Sequence, residues 1–448
     1  MTPTRLFVLL TALFASLATY FIPRIDASGD EPHYLVMAQS LWREHDLDLR
    51  DNYAREDWRE FRGGPTGPHY AAPRSDGRPF PGHAPGLSFL LAPVYAAGGR
   101  LGCALVLGMM VAGVGALAFW IATAEGLPPG AALLAGLLAS GPPLAAFALH
   151  VYTEALSALA LLSAYALLRF GRTRAAPGLA AALASALPFI HPRMALGAIA
   201  IAIAAFAYRD RASLPVFAAV ASVGAVLYGA FWMSIFGVPT ALGIYGGVPE
   251  DAALNPGQAL MGLLVDRAYG LLPYSPAFLA LTLLAVDAGP RHSGRDARAS
   301  RVELAFVFAI LLPVLFWRVW WGGQSPPARL IAPMAPFLAL WVARLHASFD
   351  RPLLRRAIVG ALAWSWGLFL LAALQPGRLL FINKRTRPTR MWEALWPGGT
   401  LDRLLPDMAR PEASDWPLAF AWMFGLLALA GIARWQARSN SSSSSSGR

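Results

Sequence analysis

The 448 residues are 56% hydrophobic and only 14% charged. Soluble domains carry about 25% charged residues, so a soluble globular domain is excluded: most of the surface this chain can build cannot face water. The net charge is +11 and Lys384 is the only lysine, but the arginines sit in short loops between apolar runs. That placement fits orientation by the positive-inside rule and argues against a nucleic-acid partner. With one cysteine, Cys103, no intramolecular disulfide is possible, and no Cys/His cluster points to zinc. A divalent metal is left open, with nothing to indicate one.

A helix needs roughly 20 apolar residues to cross a bilayer. Twelve stretches qualify, centred on 6–22, 101–123, 129–149, 152–170, 176–190, 194–208, 213–236, 272–287, 302–320, 328–345, 356–375 and 416–434. The expected fold is therefore an all-α integral membrane protein with about 12 transmembrane helices, plus interfacial helices in the first outer loop. The first stretch reads as an uncleaved anchor, since the chain beyond Ser16 and Ala18 is as apolar as the start.

The apolar segment 84–97 is short and broken by Pro85, Gly86 and Pro93. Charge decides its place. If it does not cross and the N-terminus is cytoplasmic, the arginine-rich loops 169–174, 208–211, 291–301 and 344–356 and the tail from Arg434 all lie inside, as the positive-inside rule requires. If it crossed, all of them would lie outside. It is read as a re-entrant or interfacial helix. The chain is then one polytopic domain, 1–436, with outer loops 24–100, 237–271 and 376–415. A serine-rich tail, 437–448, is expected to be disordered.

The residues suited to chemistry fall on the outer face. Asp30-Glu31-Pro32-His33-Tyr34 comes directly after the first span. Pro32 suits the first turn of a helix, and acids before it suit an N-terminus. Leu35, Met37, Ala38, Leu41 and Trp42 then give an amphipathic stripe for a helix on the membrane surface. The two acids either cap this helix or supply a base that takes the proton from an attacking hydroxyl. A long Gly/Pro-rich loop leads to His83, where the chain re-enters the apolar phase; it either meets a phosphate or an acid there or is an interfacial histidine with no role. Tyr152 and Glu154 join two spans, the acid at a helix start where the dipole favours it.

Arg193 and Arg329 are cations on the face where the positive-inside rule disfavours them, so each calls for a specific acidic or phosphate partner. Asp266, Arg267, Tyr274 and Ser275 precede another span, and Trp317, Trp320 and Trp321 fit an interfacial aromatic belt.

The order of these segments resembles the GT-C superfamily of polytopic glycosyltransferases, among them the protein O-mannosyltransferases and aminoarabinose transferases. The resemblance is carried by Gly29 to Tyr34 after a first span, then PGHAPGLSFLLAPVY (81–95), VYTEALSALALLSAYALL (151–168), VDRAYGLLPYSPAFL (265–279) and WWGGQSPPARLIAPMAPFLAL (320–340). It implies a sugar donor linked to polyprenyl phosphate, an active site on the periplasmic or lumenal face, and inversion at the anomeric carbon. Asp30 matches the family's catalytic acid in the first outer loop, with Glu31 beside it.

His83, Tyr152, Glu154, Arg193 and Arg329 are then candidate substrate-binding residues, with the arginines aimed at the leaving phosphate. The expected partners are the donor, membrane lipid, and a glycan, lipid or protein acceptor in a bacterial inner membrane. Some relatives carry Lys or Glu where this chain has His83-Ala84-Pro85, and some end in a soluble domain. A transporter or flippase of lipid-linked envelope precursors would also have many spans and buried charges, but near mid-membrane and in repeated halves. A non-catalytic scaffold would tolerate replacement of Asp30.

Overall fold

The computed structural model describes residues 1–71, 73–241, 244, 255–285, 294–349, 351–377, 389–396, 398 and 403–445, without side chains at 283–285, 294–296 and beyond 431. Parts of the expected outer loops (242–243, 245–254, 378–388, 397, 399–402), of an inner loop (286–293) and the last residues of the tail lie outside that set.

The architecture is all helical. In chain order the helices are α1 (Pro3–Phe21), α2 (Glu31–Arg43), α3 (Arg50–Ala54), α4 (Gly86–Ala124), α5 (Pro129–Ser140), α6 (Glu154–Phe170), α7 (Ala176–Ile190), α8 (Ala195–Tyr208), α9 (Leu214–Phe236), α10 (Pro256–Val265), α11 (Leu271–Tyr274), α12 (Gly294–Leu315), α13 (Ala335–Ser348), α14 (Pro352–Leu374), α15 (Arg390–Leu395) and α16 (Asp415–Ser445).

Among the described residues, five helices are long and apolar enough to cross a bilayer: Pro3–Arg24, Gly86–Ala124, Leu214–Phe236, Arg329–Ser348 and Pro352–Leu374. Five more apolar helices are shorter, Pro129–Ser140, Ala176–Ile190, Pro192–Tyr208, Pro256–Val265 and Asp415–Gly431. The protein is a multi-pass membrane protein. Large apolar side chains such as Val226, Phe206, Phe308 and Phe424 stand exposed on its helices, as lipid-facing residues do and as a water-soluble surface would not.

Proline explains why several expected spans are cut short. The stretch 129–149 ends as an α-helix at Ser140, because Pro142 and Pro143 offer no N–H to continue the ladder, and resumes as the 3-10 turn Leu144–Ala148. The stretch 272–287 is described as far as Ala285, as α11 followed by the 3-10 run Pro276–Ala285. Segment 84–97 joins 101–123 as one helix, α4, kinked where Gly99 takes φ 57° and ψ −150°. The kink divides α4 into a short first arm and a longer second one.

Two expectations are corrected. Helix α2 does not lie on the surface: Glu31, Pro32 and Tyr34 to Ser40 are all buried, and of the expected stripe Trp42 is half exposed. The polar groups inside it explain the difference, since Gln39 Nε2 donates to Tyr95 Oη at 2.8 Å and the Tyr34 backbone carbonyl accepts from Ser88 Oγ at 2.9 Å. They find partners on α4 rather than in water. The serine tract is also not free of structure as far as Ser445, because α16 runs into it. Extending a formed helix costs only each residue's modest propensity.

The helix ends sort charges onto two faces. At one end Arg344 bridges Glu303 and Glu125 at 2.6 and 2.7 Å, and Arg169 pairs with Glu125 as well. Tyr165 and Trp341 each donate to Glu303 at 2.6 Å. This ties α4, α6, α12 and α13 together at the end assigned to the cytoplasm. The outer-face candidates gather at the opposite end.

Candidate active site

Asp30 stands immediately before α2, yet its carboxylate makes no capping bond to the helix. It turns away and meets Arg329 Nη2 at 2.5 Å. Of the two readings of this acid in the sequence, the cap is therefore not the one its side chain adopts. Gly29 makes the turn possible. It holds φ +66°, and a Cβ there would sit 2.1 Å from Tyr152 Oη and 2.2 Å from the Gln324 carbonyl oxygen. Tyr152 Oη accepts from the Asp30 N–H at 3.2 Å and lies 3.1 Å from the carbonyls of both Ser28 and Gln324, which share its one proton. One hydroxyl thus joins the first outer loop, the start of α6 and the 322–328 loop.

Arg329 is 3% exposed and has a partner for each guanidinium nitrogen. Nε donates to Glu154 at 3.2 Å, Nη1 to the Gly322 carbonyl at 2.8 Å and Nη2 to Asp30, while the guanidinium lies 4.3 Å from the centre of the Tyr152 ring. Glu154, at the first turn of α6, is fully buried and also receives Arg193 Nη2 at 3.0 Å. Arg193 donates further to the Leu330 carbonyl at 2.8 Å. Asp30, Tyr152, Glu154, Arg193 and Arg329, chosen from four separate segments of the sequence, therefore form one cluster. It contains two acids and two cations.

Glu31 does not join them. It is fully buried on the other side of the turn, where Arg100 grips it with Nε at 2.9 Å and Nη2 at 3.2 Å, and His150 Nδ1 lies 3.5 Å away. Arg100 also reaches the Ile25 carbonyl at 2.5 Å, so it fixes the stretch of chain that carries Asp30. The expectation that Glu31 acts beside Asp30 on substrate does not fit a carboxylate with no exposed surface.

His83 is placed by the long loop against His69, Nε2 to Nδ1 3.0 Å. The His33 ring lies 5.2 Å from that of His69 and 5.7 Å from that of His83, and His33 Nδ1 is 2.6 Å from Tyr53 Oη. Among the described residues no group of His, Cys, Asp and Glu is arranged to hold a metal ion.

Burial and charge set the protonation states. Burial raises the Asp30 pKa, but the Arg329 guanidinium, by its charge and its hydrogen bond, outweighs it and holds the carboxyl well below the usual range. Glu31 is pushed up by burial and down further by Arg100 and His150, to about 2. Burial lowers His33 to about 4 and His83 to about 3, so both are neutral imidazoles at neutral pH.

Asp266 and Arg267 lie outside this cluster. Asp266 accepts four backbone N–H groups, from Ala268, Tyr269, Met408 and Ala409, and Arg267 pairs with Asp407 at 2.6 Å. They clamp two outer segments together. The Tyr269 carbonyl then accepts the Ala328 N–H at 2.8 Å, next to Arg329, so the clamp supports the site from behind.

Sequence reasoning did not single out Arg100, His33, His69 or Tyr53. Arg100 carried a signal, being a cation set directly against the apolar stretch 101–123. The other three are read only from the folded loop.

No family model and no curated protein matches the chain. Solved structures do. ArnT from Cupriavidus metallidurans, bound to undecaprenyl phosphate, matches with a TM-score of 0.54 at 14% identity, over 97% of this chain and 75% of that one. The fold is of GT-C type. The apo oligosaccharyltransferase of Archaeoglobus fulgidus matches at 13% identity over 92% of this chain and 60% of that one, with a TM-score of 0.44. A GT-C fold sets the helical frame; the roles of Asp30, Arg329 and their neighbours rest on the geometry above.

Proposed function

We propose that the protein is a glycosyltransferase that moves a sugar from a polyprenyl-phosphate donor to an acceptor hydroxyl at the outer face of a bacterial inner membrane. Twelve spans in one polytopic domain would carry it. The observation that supports this reading best is the position of Asp30. It is a carboxylate with 27% of its side chain exposed, at the open edge of an otherwise buried cluster of Glu154, Arg193 and Arg329. A base must reach the acceptor, and the cations must reach the leaving group.

In this reading Asp30 takes the proton of the acceptor hydroxyl, whose oxygen attacks the anomeric carbon with inversion. The bond from that carbon to the phosphate oxygen breaks, and Arg329 stabilises the charge left on the phosphate. Glu154 and Arg193 hold Arg329 in place. Glu31 and Arg100 hold the Asp30 turn, and His83 with His33 lines the approach to it. ArnT, whose fold this chain shares, was solved with undecaprenyl phosphate bound, and a polyprenyl-phosphate donor is consistent with that likeness. A flippase calls for charges near mid-membrane, whereas these lie at helix ends.

The test is turnover of a panel of polyprenyl-phosphate sugars by the full chain in nanodiscs, with Asp30→Asn alongside. Transfer or release of sugar that Asp30→Asn abolishes supports the assignment. Undiminished turnover in Asp30→Asn sinks it.

A further inference from the structure

In the resting site Arg193 and Arg329 are both already paired with acids. Each guanidinium nitrogen of Arg329 is taken, by Glu154, by the Gly322 carbonyl and by Asp30. Two acids balance two arginines. Three of the five guanidinium N–H groups are so used, and the side chain is buried between two carboxylates, so an entering phosphate competes with these partners, which differ in how easily they leave.

Glu154 is fully buried and held by Arg193 as well. Freeing it would strand a carboxylate away from water, which is the costly way to break a buried pair. The Gly322 carbonyl belongs to a loop pinned through Gln324 to Tyr152. Asp30 is the exposed partner, and its side chain has no capping bond to the helix it precedes.

We infer that the donor phosphate takes Arg329 Nη2 from Asp30, so that the base is masked in the resting enzyme and released only when the donor is seated. This rests on the proposed function and adds an order to it: donor first, acceptor second.

The chemistry is a consequence of the exchange. Paired with Arg329, Asp30 is too weak a base to help an alcohol. Once the phosphate holds the arginine, Asp30 loses its cation and faces an anion, and both changes favour its protonated form. It then takes the acceptor proton as the acceptor oxygen bonds to the anomeric carbon, while the phosphate leaves with the electron pair of the broken bond.

The other groups facing Asp30 do not replace the lost charge. They are Tyr152, His33 one turn along α2, His83 from the long loop and His191 from the turn before α8. Both His33 and His83 are neutral at neutral pH.

The experiment is calorimetric binding of a prenyl methyl phosphate diester to the full chain in nanodiscs. The diester's single charge does not titrate in the working range. Titrations at about pH 5.5 in two buffers of different ionisation enthalpy count the protons exchanged.

The expected result is net proton uptake on binding to the wild type. In Asp30→Asn, checked for folding by thermal melting, uptake disappears and binding tightens by about tenfold, because the competitor for Arg329 is gone. Diester binding without proton uptake, at equal affinity in both proteins, overturns the exchange and leaves the glycosyltransferase reading standing. No binding to either protein removes the donor reading and this inference together.

Discussion

Neutralising Glu154 tests the electrostatic core of the site most directly. The carboxylate has no exposed surface and serves two buried arginines at 3.0 and 3.2 Å. Glu154→Gln leaves Arg193 with the Leu330 carbonyl and Arg329 with Asp30 and the Gly322 carbonyl. Removing one partner of a buried pair costs about 3–5 kcal/mol, because the remaining charge stays out of water. At about 2.1 cal/mol/K per residue, the unfolding entropy of 448 residues is about 0.9 kcal/mol/K, so a cost of that size lowers the melting temperature by about 3–5 °C if the chain melts as a unit.

Adding Arg193→Ala to Glu154→Ala removes one of the stranded cations. The double variant should lose less than the sum of the singles, with a coupling of about 0.5–3 kcal/mol. Thermal unfolding in nanodiscs, followed by intrinsic tryptophan fluorescence, reads every one of these variants. A melting temperature unchanged in Glu154→Gln, or strictly additive losses in the double variant, would show that the two arginines do not depend on Glu154.

Asp30→Asn should cut turnover by about 10²- to 10⁴-fold, the usual worth of a general base, with little change in melting temperature because Asp30 is partly exposed; a large melting shift would mark it as structural instead. Arg100→Ala should destabilise the protein by about 3–5 kcal/mol by stranding Glu31, and Arg100→Lys should recover only part of the loss, since one ammonium cannot grip both carboxylate oxygens; full recovery by lysine would mean the bidentate geometry is irrelevant. Arg344→Ala should cost a similar amount at the inner face while leaving diester affinity intact, which calorimetry on the folded variant below its melting temperature would check. Stability should also fall as pH drops from about 6.5 to 5: the unfolded chain protonates its histidines there, whereas folded His33 and His83 stay neutral down to about 4 and 3. A melting temperature flat over that window would contradict the burial assigned to the pair. Glu31, depressed to about 2, adds stability that is present above its unfolded pKa of about 4.5 and is lost only as pH falls towards 2.

The sequence revealed this site through topology rather than through motif strength. An arginine on the outer face breaks the positive-inside rule, so Arg193 and Arg329 announced that they had partners, and the alternating spans put Asp30 and Glu154 on the same face. Span counting thus carried four residues from distant segments to one end of the bundle. It could not carry the side-chain directions. Whether Asp30 or Glu31 faces the arginines is a matter of about 100° of helix rotation at a turn set by Gly29, and both residues suit a helix start equally well.

Arg100 was hidden for a related reason. It lies beside the kink at Gly99, where two apolar stretches read as separate elements and the charge between them read as a boundary. At the other face the positive-inside rule accounted for Arg169 and Arg344 so well that it left no reason to look for partners, though both are bound to Glu125 and Glu303. A charge that obeys the topology rule gives no warning that it is buried. One that violates it does, and the candidate site was legible in proportion to how many of its cations lay on the wrong side of the membrane.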